Sequence, residues 1–71
     1  MENKYEIIIF WSDEHQTFVA DVLELAGSMA HGSSYTEALS NAEQAIALWI
    51  KSAQEFGRAV PQPKGRRLAY A

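Results

Sequence analysis

The side chains capable of reactive chemistry in this chain are few and scattered. His15 sits in the polar stretch Ser12-Asp13-Glu14-His15, and His31 precedes Gly32, with Ser28, Ser33 and Ser34 close by in sequence. A histidine beside a serine is the beginning of a base and nucleophile pair, but that chemistry needs a third group to orient the base. No acid is placed by the sequence to do so, and Ser34 has another use as a helix cap. Two histidines also fall short of the three or four ligands of a tetrahedral zinc site. The chain has no cysteine, which removes disulfides and thiolate metal sites. Glu6 and Asp21 are the carboxylates in strand-like segments, read as out of phase with each other. A two-metal nuclease needs several converging carboxylates, and no third or fourth is evident. The expectation is a protein that is not an enzyme, with no catalytic residue, no metal and no cofactor.

What remains is charge and aromatic surface. Residues 1–43 carry Glu2, Glu6, Asp13, Glu14, Asp21, Glu24, Glu37 and Glu43 against Lys4 alone. Residues 44–71 carry Lys51, Arg58, Lys64, Arg66 and Arg67 against Glu55. Asp13, Glu14, Asp21 and Glu24 make an acidic front suited to a basic partner, and such complementarity acts more on association rate than on final affinity. Trp11 is the aromatic anchor of that candidate surface, with Phe10 and Tyr70 as further choices. Lys64, Arg66, Arg67 and Tyr70 combine basic groups with an aromatic ring, the elements that contact RNA phosphates and stack a base. That patch is short and the net charge is −3, so direct nucleic-acid binding is not the expected role.

Short elements must position these groups. Residues 4–11 alternate as a strand, with Tyr5, Ile7, Ile9 and Trp11 on one side and Glu6, Ile8 and Phe10 on the other. Residues 16–22 alternate again and complete an antiparallel hairpin. Gly27 opens a third strand over 28–31, which Gly32 closes. Ser34 followed by Glu37 has capping-box spacing: the hydroxyl accepts from the third helical amide and the carboxylate reaches back to the cap amide. Helix formers then run from Tyr35 to Phe56, and Gly57 is a natural C-cap. At helical spacing, Ala38, Leu39, Ala42, Ala45, Ile46, Trp49, Ile50, Ala53 and Phe56 share one apolar face, while Leu48 lies off it. Pro61-Gln62-Pro63 is a stiff linker, and 68–71 is expected to add a short strand at a sheet edge. The fold class is α+β, in the order β-β-β-α-β. One domain spans 1–71, with 58–71 as a Pro-containing basic tail.

In this order, several segments carry a family pattern. They are Phe18-Val19-Ala20, Leu23-Glu24-Leu25-Ala26-Gly27, Gly32-Ser33-Ser34 and Glu37-Ala38-Leu39, then Ala42, Ala45 and Ile46, then Pro61-x-Pro63 and Gly65-Arg66-Arg67-Leu68. Together they resemble the HicB-like antitoxin family over most of the chain. Each motif alone is weak, and their order and spacing are the specific part. Leu23 and Ala26 stand where the family pattern has prolines. The resemblance implies a partial ribonuclease-H-like fold and an antitoxin that covers a small, basic RNA-cleaving toxin of the HicA type. Longer members carry a C-terminal helix-turn-helix or ribbon-helix-helix DNA-binding part; residues 1–71 are expected to form a short member without one. Two other readings stay open: an oligomeric nucleic-acid-binding domain that uses the basic tail, and a vestigial nuclease.

A domain of 71 residues buries only roughly 60% of its unfolded surface. Small domains gain stability from disulfides, metals or partner chains, and oligomerisation is the route left here. One helix cannot cover both apolar sides of the sheet, so a homo-oligomer, dimer or tetramer, is expected. No apolar run approaches the ~18–20 residues of a membrane span. Glu2, Lys4 and Glu6 are not the basic start of a signal peptide. A cytoplasmic location with no membrane partner is the expectation.

Overall fold

A computed structural model of the protein describes residues 4–63. It contains β1 (Ile8–Ser12), β2 (Thr17–Asp21), β3 (Met29–Gly32) and α1 (Tyr35–Glu55). The three strands form one antiparallel sheet in the order β1-β2-β3, so the described fold is α+β with the order β-β-β-α. The strand expected at 68–71 and the basic tail lie outside the described residues.

Register follows from apolar alternation. Ile8 stands opposite Asp21 and Ser12 opposite Thr17; Phe18 stands opposite Gly32 and Asp21 opposite Met29. β1 begins at Ile8 and not at residue 4, because β2 ends at Asp21 and offers residues 4–7 nothing to pair with. The Glu6 N–H instead donates to the Glu24 carboxylate at 3.3 Å. Tyr5 donates its hydroxyl to the Pro61 carbonyl, which ties the segment after the helix to the approach of β1. Glu6 precedes β1, so strand pairing does not set its phase relative to Asp21.

The inner face of the sheet meets α1 through small side chains. Ala20 and Ala30 on the sheet and Ala38, Ala42 and Ile46 on the helix form the buried core with Val22 and Leu25. Gly32 shows how close the two layers come. A Cβ at that position would lie 2.8 Å from the Ala38 Cα and from the Glu37 carbonyl carbon, a separation that real side chains do not tolerate. The connection between β2 and β3 folds with Leu23 and Ala26 in place of prolines. Leu25 is buried, and the bonds from Leu25 N–H to Val22 (3.1 Å) and from Ser28 N–H to Leu25 (3.0 Å) hold the turn.

The helix starts and ends where its sequence directs. The Glu37 N–H donates to Ser34 Oγ at 3.1 Å, as a cap requires. The Glu37 carboxylate accepts from the Ser33 N–H at 2.7 Å, one residue earlier than a capping box places it. At the other end Gly57 adopts φ +69°. Its N–H reaches Gln54 and the Arg58 N–H reaches Ala53 at 2.7 Å, which is a Schellman closure. Of the expected apolar face, Ala38, Ala42, Ile46 and Ala53 are buried, and Ala45, Trp49 and Ile50 are half-buried. Leu39 and Phe56 are exposed. The helix lies chiefly over β3, less over β2 and least over β1, so side chains on its flank and at its C-cap find no sheet beneath them. No helix among the described residues is long and apolar enough to cross a membrane.

Candidate functional site

Three aromatic side chains, Trp11, Phe18 and Tyr35, gather at the hairpin end of the sheet. Trp11 and Phe18 are cross-strand partners, and their rings meet edge to face, with centroids 5.1 Å apart and an interplanar angle of 72°. Phe18 also meets Tyr35, the first residue of α1, at 4.5 Å and 41°. The row is fixed by local rules. Strand pairing delivers Trp11 to Phe18, and the cap at Ser34 delivers Tyr35 to the same spot. Trp11 remains 48% exposed and Tyr35 61% exposed, because α1 leaves β1 largely uncovered. Such aromatic pairs contribute about 0.5–1.5 kcal/mol beyond their burial and present rigid, amphipathic contact area.

Asp13 and Glu14 stand next to this ledge in the loop between β1 and β2, and both are exposed. Gln16, at φ 53°, closes the loop by donating from Nε2 to the Asp13 carbonyl at 2.6 Å and to Asp13 Oδ1 at 3.2 Å. Glu14 pairs with His15 Nε2 at 3.5 Å. Asp21 and Glu24 lie at the other end of β2, about 13 Å away along a strand that rises ~3.3 Å per residue. Asp21 sits between Ile8 and Met29, while Glu24 is half-buried and engaged with the Glu6 amide. The structure thus joins Trp11, Asp13 and Glu14 and separates them from Asp21 and Glu24. Lys64, Arg66, Arg67 and Tyr70 lie outside the described residues.

Phe18 and Tyr35 were not among the candidates that the sequence offered. Phe18 reads as core by alternation, and Tyr35 falls outside the helix stripe. The available signal was a large aromatic directly after a helix cap, where packing is thin.

The histidines do not build the serine–histidine pair weighed from sequence. His31 alternates with Ala30 on β3, so its side chain lies on the open sheet face, while Ser28 is buried. Ser34 is the cap. His15 Nδ1 lies 3.2 Å from Ser12 Oγ, and that hydroxyl also accepts from the His15 N–H at 3.3 Å, the geometry of a tight polar turn. Among the described residues no group of three or more potential ligands is placed to hold a metal ion.

The face of the sheet away from α1 is also apolar. Ile8, Phe10 and Met29 are exposed there, and Val19 is buried beneath its neighbours. This is the second apolar side read from the sequence.

An antiparallel meander, a covering helix and an aromatic ledge beside two acids define, among the described residues, a small α+β domain. The chain belongs to the HicB-like antitoxin family: a sequence model of the HicB-like antitoxins of bacterial toxin-antitoxin systems matches residues 5–68. No curated protein and no solved structure matches the chain.

Proposed function

We propose that this chain is a non-catalytic antitoxin that binds and neutralises a small, basic, RNA-cleaving toxin of the HicA type in the cytoplasm. The observation that carries the reading is the family match over residues 5–68. The ledge of Trp11, Phe18 and Tyr35 beside Asp13 and Glu14 supplies the means. Rigid aromatic rings anchor the contact, and the two acids draw in a basic partner. The open sheet face of Ile8, Phe10 and Met29 is the contact between copies of the chain, giving a dimer or tetramer. The partial ribonuclease-H-like arrangement belongs to the same reading, supported by the meander followed by a helix.

The test is an RNA-cleavage assay with a small basic toxin encoded beside this chain. Addition of the antitoxin in excess is expected to abolish cleavage, and light scattering at micromolar concentration is expected to give a mass above that of one chain. Full toxin activity at excess antitoxin overturns the antitoxin reading. A monomeric mass overturns the oligomer.

A further inference from the structure

A second surface lies away from the aromatic ledge, between the edge of β3 and the C-terminal half of α1. A groove of about 270 Å³ opens there, lined by Ser28, Met29, Leu48, Trp49, Ala53 and Arg58 among others. Small-ligand pockets are usually ~300–1,000 Å³, so this one falls just short and suits a single bulky apolar side chain.

Its walls are held from behind. Trp49 Nε1–H donates to the Ala26 carbonyl at 3.1 Å, which fixes the indole. The Schellman closure pins the Arg58 backbone to Ala53, so the guanidinium springs from a set position at the rim. Arg58 has no ion-pair partner among the described residues, and no acidic side chain lines the groove. Ser28, 5% exposed, has a hydroxyl with no hydrogen-bond partner among the described residues.

The adjoining strand edge is open at one place. Val22 N–H donates to the Ser28 carbonyl at 3.1 Å, so Ser28 faces β2. Facing directions alternate along an antiparallel ladder, which turns the main-chain N–H and C=O of Met29 outward. His31 faces outward too, but its carbonyl is taken by Asn41 Nδ2 at 2.7 Å. Among the described residues, Met29 therefore offers an unused donor and acceptor directly beside the groove.

The geometry points to a short extended peptide from a partner protein as the occupant: it pairs with the main chain of Met29, places one bulky apolar side chain between Leu48 and Trp49, and sets a neighbouring carboxylate against Arg58. This is strand addition with one specificity pocket. The basic rim at Arg58 selects for the acid. The site is independent of toxin docking at the hairpin end.

The test uses a blocked hexapeptide of alternating valine and threonine with one phenylalanine followed by aspartate, titrated into isotope-labelled full chain and followed by NMR. Saturable shifts of the Met29 amide and the Trp49 indole are expected. Arg58→Ala is expected to weaken binding about tenfold, the loss of one charge-assisted bond. Arg58→Glu should prefer a peptide with lysine in place of aspartate. Leu48→Asp, at a residue 67% exposed and so harmless to folding, should remove the shifts. Absence of saturable shifts at millimolar peptide overturns the proposal, as do equal shifts with a peptide lacking both the phenylalanine and the aspartate. A concentration-dependent shift of the Trp49 indole without peptide also overturns it, since the groove is then filled by a second copy of this chain. The Met29 amide does not serve for this control, because the sheet face that carries Met29 is the proposed contact between copies. Arg58→Ala should leave toxin neutralisation unchanged, so failure here is distinguishable from failure of the antitoxin reading.

Discussion

Asn41 on α1 donates from Nδ2 to the main-chain carbonyl of His31 at 2.7 Å, so the helix itself closes part of the outer edge of β3. An uncovered strand edge is a template for pairing with other chains. This contact blunts it at His31 and leaves Met29 open.

Asn41→Ala is therefore expected to have two effects. One is a loss of about 1 kcal/mol, the usual net value of a single hydrogen bond. It should appear as a lower urea midpoint with an unchanged slope. The other is greater self-association, read as a rise in mass by light scattering. A variant equal to the parent in both would show that solvent replaces the amide without consequence.

Much of the fold was legible because local rules agree with one another. The strand alternations, the Ser34 cap, the Gly57 terminus and the buried positions Ala38, Ala42, Ile46 and Ala53 all follow from periodicity and end chemistry. What was not legible depends on where the helix sits. Periodicity assigns Leu39 and Phe56 to the core, but α1 lies chiefly over β3 and leaves them in solvent. The same offset exposes Trp11 and creates the ledge with Phe18 and Tyr35. The start of β1 was misplaced because strand length is set by the partner strand, which ends at Asp21. The spacing of the acidic residues has a related origin. Residues close in sequence, Glu14 and Asp21, are pushed apart once β2 is extended between them.

Gly32→Ala tests the close approach of helix and sheet. The added methyl would meet Ala38 and Glu37 backbone atoms, which cannot rotate away as a side chain would. Overpacking typically costs about 1–3 kcal/mol, and the backbone contact puts this variant at the upper end. For a domain of this size that is a fall in Tm on the order of 10 °C or more, measurable by circular dichroism. A change of only a degree or two would mean that α1 shifts freely over β3.

Ser34→Ala removes the oxygen that accepts from the Glu37 amide at 3.1 Å. The expected loss is about 1 kcal/mol, while Ser34→Asp, which keeps an acceptor, should retain most of the stability. The effect should reach binding as well. Tyr35 follows the cap directly, so a frayed first turn loosens its contact with Phe18. Urea titrations of both variants, read beside toxin affinity, check the two links together. Equal stability of the alanine and aspartate variants would remove the cap from the account.

The docking ledge predicts a division between affinity and rate. Trp11→Ala and Tyr35→Ala are expected to weaken toxin binding by about 2 kcal/mol or more each, roughly thirtyfold, as for aromatic anchors at an interface centre. Asp13→Lys with Glu14→Lys should act chiefly on association, slowing it most at low salt, because exposed charges steer encounters and are screened by ions. Asp21→Lys should have a much weaker effect on that rate, since Asp21 lies at the far end of β2, between Ile8 and Met29. Stopped-flow binding across a salt series separates the two contributions, and a Tm for each variant guards against loss of the Trp11–Phe18 contact being read as loss of docking. Equal rate effects for the Asp13/Glu14 and Asp21 variants would move the toxin contact off the hairpin end and onto the open face of the sheet.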